Sequence, residues 1–344
     1  MITLNKQQIL DKFNADTITL LLKQGFIAFS QKQVQMPPVQ HLLFAQSNGD
    51  CCIKSGYLQG DDLFVVKVSG GFYDNPAQGL ASNQGLMMAF SAQTGEPQAL
   101  LLDEGWLTAL RTALAGRIVA ELCAPAHIRN IGIIGTGMQA RLHLMYLKSV
   151  ISCRQLWVWG RSETALEEYR QFAQTEGFEV NTTQDAAELA SHCQFIVTTT
   201  PSREAILHAT DIQPGTHITA VGADGAGKHE LAPELVAKAD KILVDSWAQC
   251  TEFGEISSAF QQRLLAHHTL TEIGAVLAQN ISFRDDDQQF TLADLTGLGV
   301  QDVQIVKGVL GGINLVIGSV EDWIWFRLIF GDRLNSVWWL VRLV

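Results

Sequence analysis

Positive charge is scarce in this chain. It carries 24 Lys and Arg against 35 Asp and Glu, a net charge of -11. That is the wrong sign for gripping a phosphate backbone, so nucleic acid is disfavoured and no nucleic-acid partner is expected. Paired cysteine is missing as well. Cys51, Cys52, Cys123, Cys153, Cys193 and Cys250 contain no Cys-x-x-Cys spacing and no small disulfide framework, which points to a reducing cytoplasm. The nine histidines include no His-x-x-x-His pair, and His267-His268 are adjacent and poorly placed to chelate, so no metal is expected. Long apolar runs are absent too. Met1 to Leu10 holds Asn5 and Lys6, which argues against a signal peptide. The Trp-rich stretch of about 318–344 is broken by Glu321, Asp322, Arg327, Asp332, Arg333 and Arg342, too often for the ~20 predominantly apolar residues of a membrane span. It could form an amphipathic surface or partner helix. What remains is a chain of 344 residues, 47% hydrophobic and 17% charged, with material for a sizeable core and room for two domains.

The most informative stretch is Ile131-Gly132-Ile133-Ile134-Gly135-Thr136-Gly137-Met138-Gln139-Ala140. An apolar strand runs into a Gly-x-Gly-x-x-Ala turn, and a helical pattern follows, with Leu142, Met145 and Leu147 set against His143, Lys148 and Ser149. This is a dinucleotide fingerprint with both flanks correct. Gly135 allows the tight turn, Gly137 lets backbone approach a pyrophosphate, and Ala140 lets the helix pack close to the strand. The first helical residues, Met138 and Gln139, would offer their N–H groups to the phosphates.

Upstream, residues 1 to about 30 read as helix, with Ile9, Phe13, Ile18, Leu21 and Leu22 near a period of 3.6. Met36-Pro37-Pro38 ends that pattern. Segments 52–57, 63–68, 85–90 and 99–102 then read as strands separated by turns at Gly60-Asp61, Gly70-Gly71 and Thr94-Gly95-Glu96-Pro97. From Ile128 the rhythm changes to βαβ, with strands expected at 132–134, 156–159, 195–199, 217–221 and 241–244. The class is therefore α/β: a Rossmann-type doubly wound parallel sheet plus a separate α+β first domain. The expected boundaries are 1–124 for the first domain and 125–294 for the Rossmann domain.

Asp103 to Ala124 reads as a helix whose apolar arc holds Leu107, Leu110, Leu114 and Ile118, with Arg111 inside it. A guanidinium there needs a partner, because an unpaired buried charge is too costly to keep. Either a protein carboxylate or a substrate carboxylate gripped bidentately would serve. Lys67 shares a strand face with Leu63 and Val65. It either reaches solvent beyond the strand end at Ser69-Gly70-Gly71 or is a tunable proton donor.

The second βαβ strand ends at Trp159-Gly160-Arg161-Ser162, with no carboxylate for ribose hydroxyls. Arg161 is available for a 2′-phosphate, which favours NADP(H) over NAD(H), although Ser162 could equally cap the next helix. The strand from His217 runs into Gly222-Ala223-Asp224-Gly225-Ala226-Gly227-Lys228. Asp224 is thus carried to the crevice outside the strand ends, unless it only caps the turn.

Taken together, Lys54-Ser55-Gly56-Tyr57, Val66-Lys67-Val68, Asp103-Glu104-Gly105-Trp106-Leu107-Thr108, Arg111-Thr112, the Gly135 turn, Gly222-Ala223-Asp224-Gly225, Gly254-Glu255 and Leu295-Thr296-Gly297-Leu298-Gly299-Val300-Gln301-Asp302 resemble the ornithine cyclodeaminase/mu-crystallin family. The resemblance runs from near residue 1 to about 315. It implies that residues 1–124 form a substrate-binding and dimerisation domain, completed by a C-terminal return of about 295–344, and a homodimer built through the β-rich N-terminal region. It matches Lys67, Arg111 and Asp224 to the active-site lysine, carboxylate-binding arginine and catalytic aspartate. It also implies that the cofactor lies along the Gly135 turn, Arg161 and Ser162, Thr199, Gly222, and the Thr296-Gly297 loop. Family cyclodeaminases carry a glutamate where this chain has Lys54 and an early arginine where it has Val39-Gln40. A cationic Lys54 is a poor neighbour for a substrate ammonium, so the resemblance is closer to the reductase branch. The implied activity is NAD(P)H-dependent reduction of a small cyclic imino acid, Δ1-pyrroline-2-carboxylate or its six-membered homologue, the five-membered ring giving L-proline. Reductive amination of pyruvate and a mu-crystallin-like NADPH-binding role are the alternatives.

Overall fold

Alternation of apolar residues along four consecutive segments builds the first sheet. The computed structural model describes residues 1–265 and 270–311; His267-His268 and the Trp-rich stretch from about 318 lie outside the described residues. The strands of this sheet are β1 (Ile2–Asn5), β2 (Val34–Gln35), β3 (Gln40–Phe44), β4 (Gly49–Leu58), β5 (Leu63–Phe72), β6 (Asn83–Ser91) and β7 (Pro97–Leu102). They run in the order β1-β7-β6-β5-β4-β2, with β3 also on β4. Val65, Lys67, Met87, Ala89, Ala99 and Leu101 are buried on one face, whereas Val66, Val68, Met88, Phe90 and Leu100 are only half-buried on the other. A period of two gives each strand its two faces.

The N-terminus departs from the expected single helix. Ile2–Asn5 instead pair in parallel with Ala99–Leu102. Asn5 then caps α1 (Lys6–Lys12) in a reciprocal box with Gln8, and Asn14 caps α2 (Ala15–Ser30) by accepting from the Thr17 N–H. The two asparagines supply acceptors for N–H groups that a helix start leaves unpaired, so they punctuate a stretch that hydrophobic period alone reads as continuous.

After α3 (Trp106–Cys123) the second sheet begins. Its strands are β8 (Ile131–Ile134), β9 (Gln155–Trp159), β10 (Glu179–Thr183), β11 (Phe195–Thr198), β12 (His217–Ala220), β13 (Lys241–Val244), β14 (Leu270–Glu272) and β15 (Thr291–Asp294). All pair in parallel, in the order β10-β9-β8-β11-β12-β15-β13-β14. The direction of winding reverses between β8 and β11, and a crevice outside the carboxyl ends of strands at such a point is where ligands bind. The intervening helices are α4 (Met138–Leu147), α5 (Glu163–Thr175), α6 (Ala186–His192), α7 (Pro233–Lys238), α8 (Trp247–Phe253), α9 (Ile256–Gln261) and α10 (Ile273–Gln279). The described chain ends with α11 (Gly299–Val309), which returns to pack on α2, β4 and β5. No described helix is long and apolar enough to cross a membrane.

In α4 the inward face differs from the one expected. Met145 is exposed, and His143 is buried with Leu142, Leu144 and Leu147. Its imidazole lies against Gly116 of α3, where any Cβ would meet the ring at 2.4 Å. Burial lowers its pKa to about 4. His143 is therefore a neutral packing residue where two helices approach closely.

Candidate active site

The cofactor side is built by the Gly135 turn. Gly135 has φ +116°, a backbone conformation that disfavours L side chains. A Cβ there would also meet the Thr199 hydroxyl at 2.5 Å. Thr199 follows β11 and donates its hydroxyl to the Ile134 carbonyl at 2.9 Å, which fixes the floor of the turn. Gly137 is the N-cap of α4 and makes no side-chain cap bond, and a Cβ on it would meet nothing within 4 Å. The helix thus presents free N–H groups and a positive dipole end to open space, as a pyrophosphate requires. The side chains of the first turn serve packing: Met138 joins the core, and Gln139 donates to the Ala109 carbonyl of α3 at 3.3 Å. Only their backbone is free to face a phosphate.

At the tip of β9, Arg161 is exposed. Ser162 caps α5, accepting from the Ala165 N–H at 3.3 Å. Gly222, at the end of β12, is held through its backbone. Its N–H donates to Glu230 Oε2 at 3.1 Å, and a Cβ would collide with that carboxylate. Glu230 also accepts from the Thr200 N–H at 2.7 Å, tying the ends of β11 and β12 together. Burial raises its carboxyl to about 7.

The substrate side gathers side chains far apart in sequence. Lys67 on β5 is 2% exposed and its Nζ lies 3.0 Å from Asp302 Oδ2. Arg111 on α3 brings Nε to 3.3 Å from Oδ1 of the same aspartate, and its Nη1 donates to Gln301 Oε1 at 3.3 Å. Asp302 and Gln301 lie in the first turn of α11. One buried carboxylate therefore serves two buried cations, and Nη2 has no hydrogen-bond partner among the described residues. The excess of positive charge and the unused guanidinium edge suit an incoming carboxylate. Burial brings the Lys67 ammonium down to about 8; Asp302 opposes that fall, and the charges of Arg111 and Lys54 add to it.

Lys54 stands opposite Lys67 in the β4–β5 ladder. Its ammonium donates to the Thr296 and Gly297 carbonyls at 3.2 and 2.7 Å. The Thr296-Gly297 loop is held from other sides as well. Asp245 accepts the Thr296 hydroxyl at 2.9 Å and the Gly297 N–H at 2.6 Å, and Gln249 donates to the Gly297 carbonyl at 3.0 Å. Thr296 thus turns its side chain inward, and Gly297 forms a wall against Arg111. Gly297 has φ +80°, and a Cβ there would meet Arg111 Nη1 at 2.5 Å. Gly297→Ala is expected to displace the guanidinium and raise KM for a carboxylate substrate by roughly tenfold or more, the loss of a charge-assisted hydrogen bond. An unchanged KM in steady-state kinetics would remove Gly297 from that role.

Asp224 lies on the loop after β12. It is 59% exposed, and its Oδ1 accepts from Lys228 Nζ at 2.8 Å. Crowding by surrounding protein works against ionisation, but Lys228 outweighs it and, with Lys54 and Arg111, holds the carboxyl below its ordinary range.

Comparison with known proteins fits this arrangement. The model of the ornithine cyclodeaminase/mu-crystallin family matches residues 2–313. The chain belongs to that family. A Sinorhizobium fredii protein described as an uncharacterized cyclodeaminase is 39% identical over 79% of this chain and 83% of its own length. The alanine dehydrogenase of Archaeoglobus fulgidus is 33% identical over 89% and 93%, and a Bacillus cereus Δ1-pyrroline-2-carboxylate reductase is 26% identical over 89% and 94%. Among solved structures, an archaeal alanine dehydrogenase dimer with bound NAD superimposes with a TM-score of 0.83 at 31% identity, over 90% of this chain and 95% of that one. Within the ornithine cyclodeaminase/mu-crystallin family, this chain is an oxidoreductase.

Two residues of the site, Asp302 and Lys228, have duties that the sequence did not disclose. Asp302 reads as an ordinary first-turn acid that suits the helix dipole, and its pairing with Lys67 spans 235 positions. Lys228 reads as a loop lysine. A buried-cation argument applied to Lys67 and Arg111 together would have demanded a shared carboxylate, although it could not have named Asp302.

Proposed function

We propose that the protein reduces Δ1-pyrroline-2-carboxylate to L-proline with NAD(P)H. The observation that carries this reading is the Lys67–Asp302–Arg111 cluster, whose Arg111 lies on α3, the helix that packs against α4 after the Gly135 turn. In the proposed complex, Arg111 holds the substrate carboxylate through its free edge, with Lys67 as a second donor to the same group. Asp224 sits on the opposite loop as an anion beside the ring nitrogen and favours the protonated, electrophilic iminium. The nicotinamide cofactor supplies hydride to the imine carbon. The ring nitrogen of the immediate product is neutral, so a fixed carboxylate stabilises the charge that the reactive state carries. Lys54 adds a cation where a diamino substrate would need an anion, which supports reduction over ornithine cyclisation.

The likeness to alanine dehydrogenase supports a second reading, reductive amination of pyruvate. NADPH or NADH oxidation with the cyclic imine alone tests the first reading, and oxidation that requires pyruvate plus ammonia would replace it. The six-membered imine belongs in the same assay, because the Arg111 edge reads a carboxylate and not a ring size.

For the cofactor, exposed Arg161 and the lack of a carboxylate at the β9 tip support NADPH over NADH. Arg161→Ala is expected to lower kcat/KM for NADPH about tenfold or more while leaving NADH nearly unchanged, as loss of a charge-assisted contact predicts. Equal losses with both cofactors would defeat the preference. The half-buried apolar face of the first sheet, around Val66, Met88 and Phe90, supports a homodimer that covers it. Six free cysteines fit a cytoplasmic setting.

A further inference from the structure

Asp224 is carried by a loop that cannot fix it by packing. Gly225 follows it directly, and a Cβ at Gly225 would meet nothing within 4 Å. What orients the carboxylate is Lys228, whose side chain is 10% exposed although that of Asp224 is 59% exposed. Lys228 Nζ donates to Asp224 Oδ1 at 2.8 Å and to the Tyr73 hydroxyl at 3.1 Å. It also lies 3.8 Å from Asp50 Oδ2. The Tyr73 hydroxyl in turn donates to Asp50 Oδ2 at 2.9 Å. Tyr73 is held in place, since its N–H donates to the Asn48 carbonyl at 3.0 Å. Asp50 lies on β4 and Tyr73 directly follows β5, which carries Lys67; Lys228 and Asp224 belong to the loop after β12. The four side chains thus bridge the two sheets in one hydrogen-bonded line.

We propose that Asp50 and Tyr73 are positioning residues that latch the Asp224 loop, through Lys228, onto the sheet bearing Lys67. The idea that this positioning serves catalysis rests on the proposed role of Asp224. The latch itself rests on geometry alone. Its direction is defined: the Tyr73 hydroxyl has one proton, which goes to Asp50, so its lone pair faces Lys228. Lys228 then has a fixed acceptor in the Tyr73 hydroxyl, and another of its three N–H donors aims at Asp224. Without the hydroxyl, Asp50 at 3.8 Å is beyond hydrogen-bond reach, and Lys228 keeps only that loose ion pair and the ring face at 5.5 Å to hold it to the first sheet.

The test uses the full chain with Tyr73→Phe, which keeps the ring, and Asp50→Asn. Hydrogen exchange without ligands comes first. Residues 224–228 contain two loop bonds, from the Asp224 N–H to the Gly222 carbonyl and from the Lys228 N–H to the Gly225 carbonyl. Tyr73→Phe is expected to speed exchange there about tenfold, the loss of one hydrogen bond to a charged group. Unchanged exchange overturns the latch whatever the substrate is. Turnover with the cyclic imine comes second. Tyr73→Phe should lower kcat about tenfold and move the acid limb of the pH profile upward, because Lys228 would no longer hold Asp224 low, with cofactor KM unchanged. Faster exchange with an unmoved pH profile, alongside a collapsed Asp224→Asn variant, overturns the positioning role. Native turnover in Tyr73→Phe and Asp224→Asn alike would instead defeat the proposed duty of Asp224, and exchange would still decide the latch.

Discussion

Replacing Asp302 with Ala is expected to lower the melting temperature by roughly 6–10 °C near neutral pH. The aspartate is 2% exposed and is the shared counter-ion of Lys67 and Arg111. Its removal leaves two buried cations uncompensated, and breaking a buried pair on one side costs about 3–5 kcal/mol. At roughly 2 °C per kcal/mol for a chain of this size, the stated fall follows. The effect has a pH signature. Asp302 holds the Lys67 pKa up to about 8 against burial, so without it that pKa drops further below the unfolded value of ~10.4. A lysine with a depressed folded pKa binds fewer protons folded than unfolded. Its destabilising contribution is complete below the folded pKa and is relieved as pH rises toward the unfolded one. The deficit should therefore shrink between pH ~7 and pH ~9.5, although Arg111 stays charged and keeps part of it. Thermal melts at the two pH values check both statements. A deficit of under ~2 °C, or one that grows with pH, would show that the cations are compensated elsewhere.

Asp224→Asn is expected to reduce kcat for imine reduction by about 10²–10⁴-fold, the usual range for a positioned acid–base or charge-stabilising group. The amide is nearly isosteric and keeps an oxygen to accept from Lys228, so the loop should stay in place while its charge is lost. Binding of the reduced cofactor, followed by its fluorescence, should be unchanged, because Gly135, Gly137 and the start of α4 lie on other elements. A fall in kcat and kcat/KM together, with KM little altered, is the signature of an interaction made mainly in the transition state. A loss smaller than about tenfold would remove Asp224 from the reaction.

The sequence disclosed some of this architecture because certain signals are local. The Gly135 turn has its strand, glycines and helix within ten consecutive residues, and the four strands between β4 and β7 alternate cleanly. β10 was hidden because Glu179-Val-Asn-Thr-Thr is a polar edge strand, and β15 because Thr291-Leu-Ala-Asp holds only two apolar residues between polar ends. Local reading also misassigned the two sides of α4: His143 has a polar ring, but close approach to Gly116 draws it inward. At the site, Lys67 and Arg111 were visible as cations on apolar faces, since cost marks them wherever they occur. Their partner was not, because an acid in a first helical turn is commonplace. Lys54 was legible as an oddity, but its engagement with two loop carbonyls depends on β4 meeting the Thr296-Gly297 loop, which no local pattern encodes.

The position of α11 has a consequence for the order in which the molecule becomes itself. β15 enters the middle of the second sheet, between β12 and β13, and a few residues later α11 closes over the first sheet with Asp302. A ribosome making about 5–20 residues per second delivers Asp302 roughly ten to fifty seconds after Lys67, given their 235-residue separation. Throughout that interval the β5 lysine and α3 arginine have no counter-ion to be buried with. The first sheet can assemble its strands early, but its charged centre must stay wet until α11 has been made. Closure of this site waits for α11, and a nascent chain halted before α11 would display the two cations to solvent.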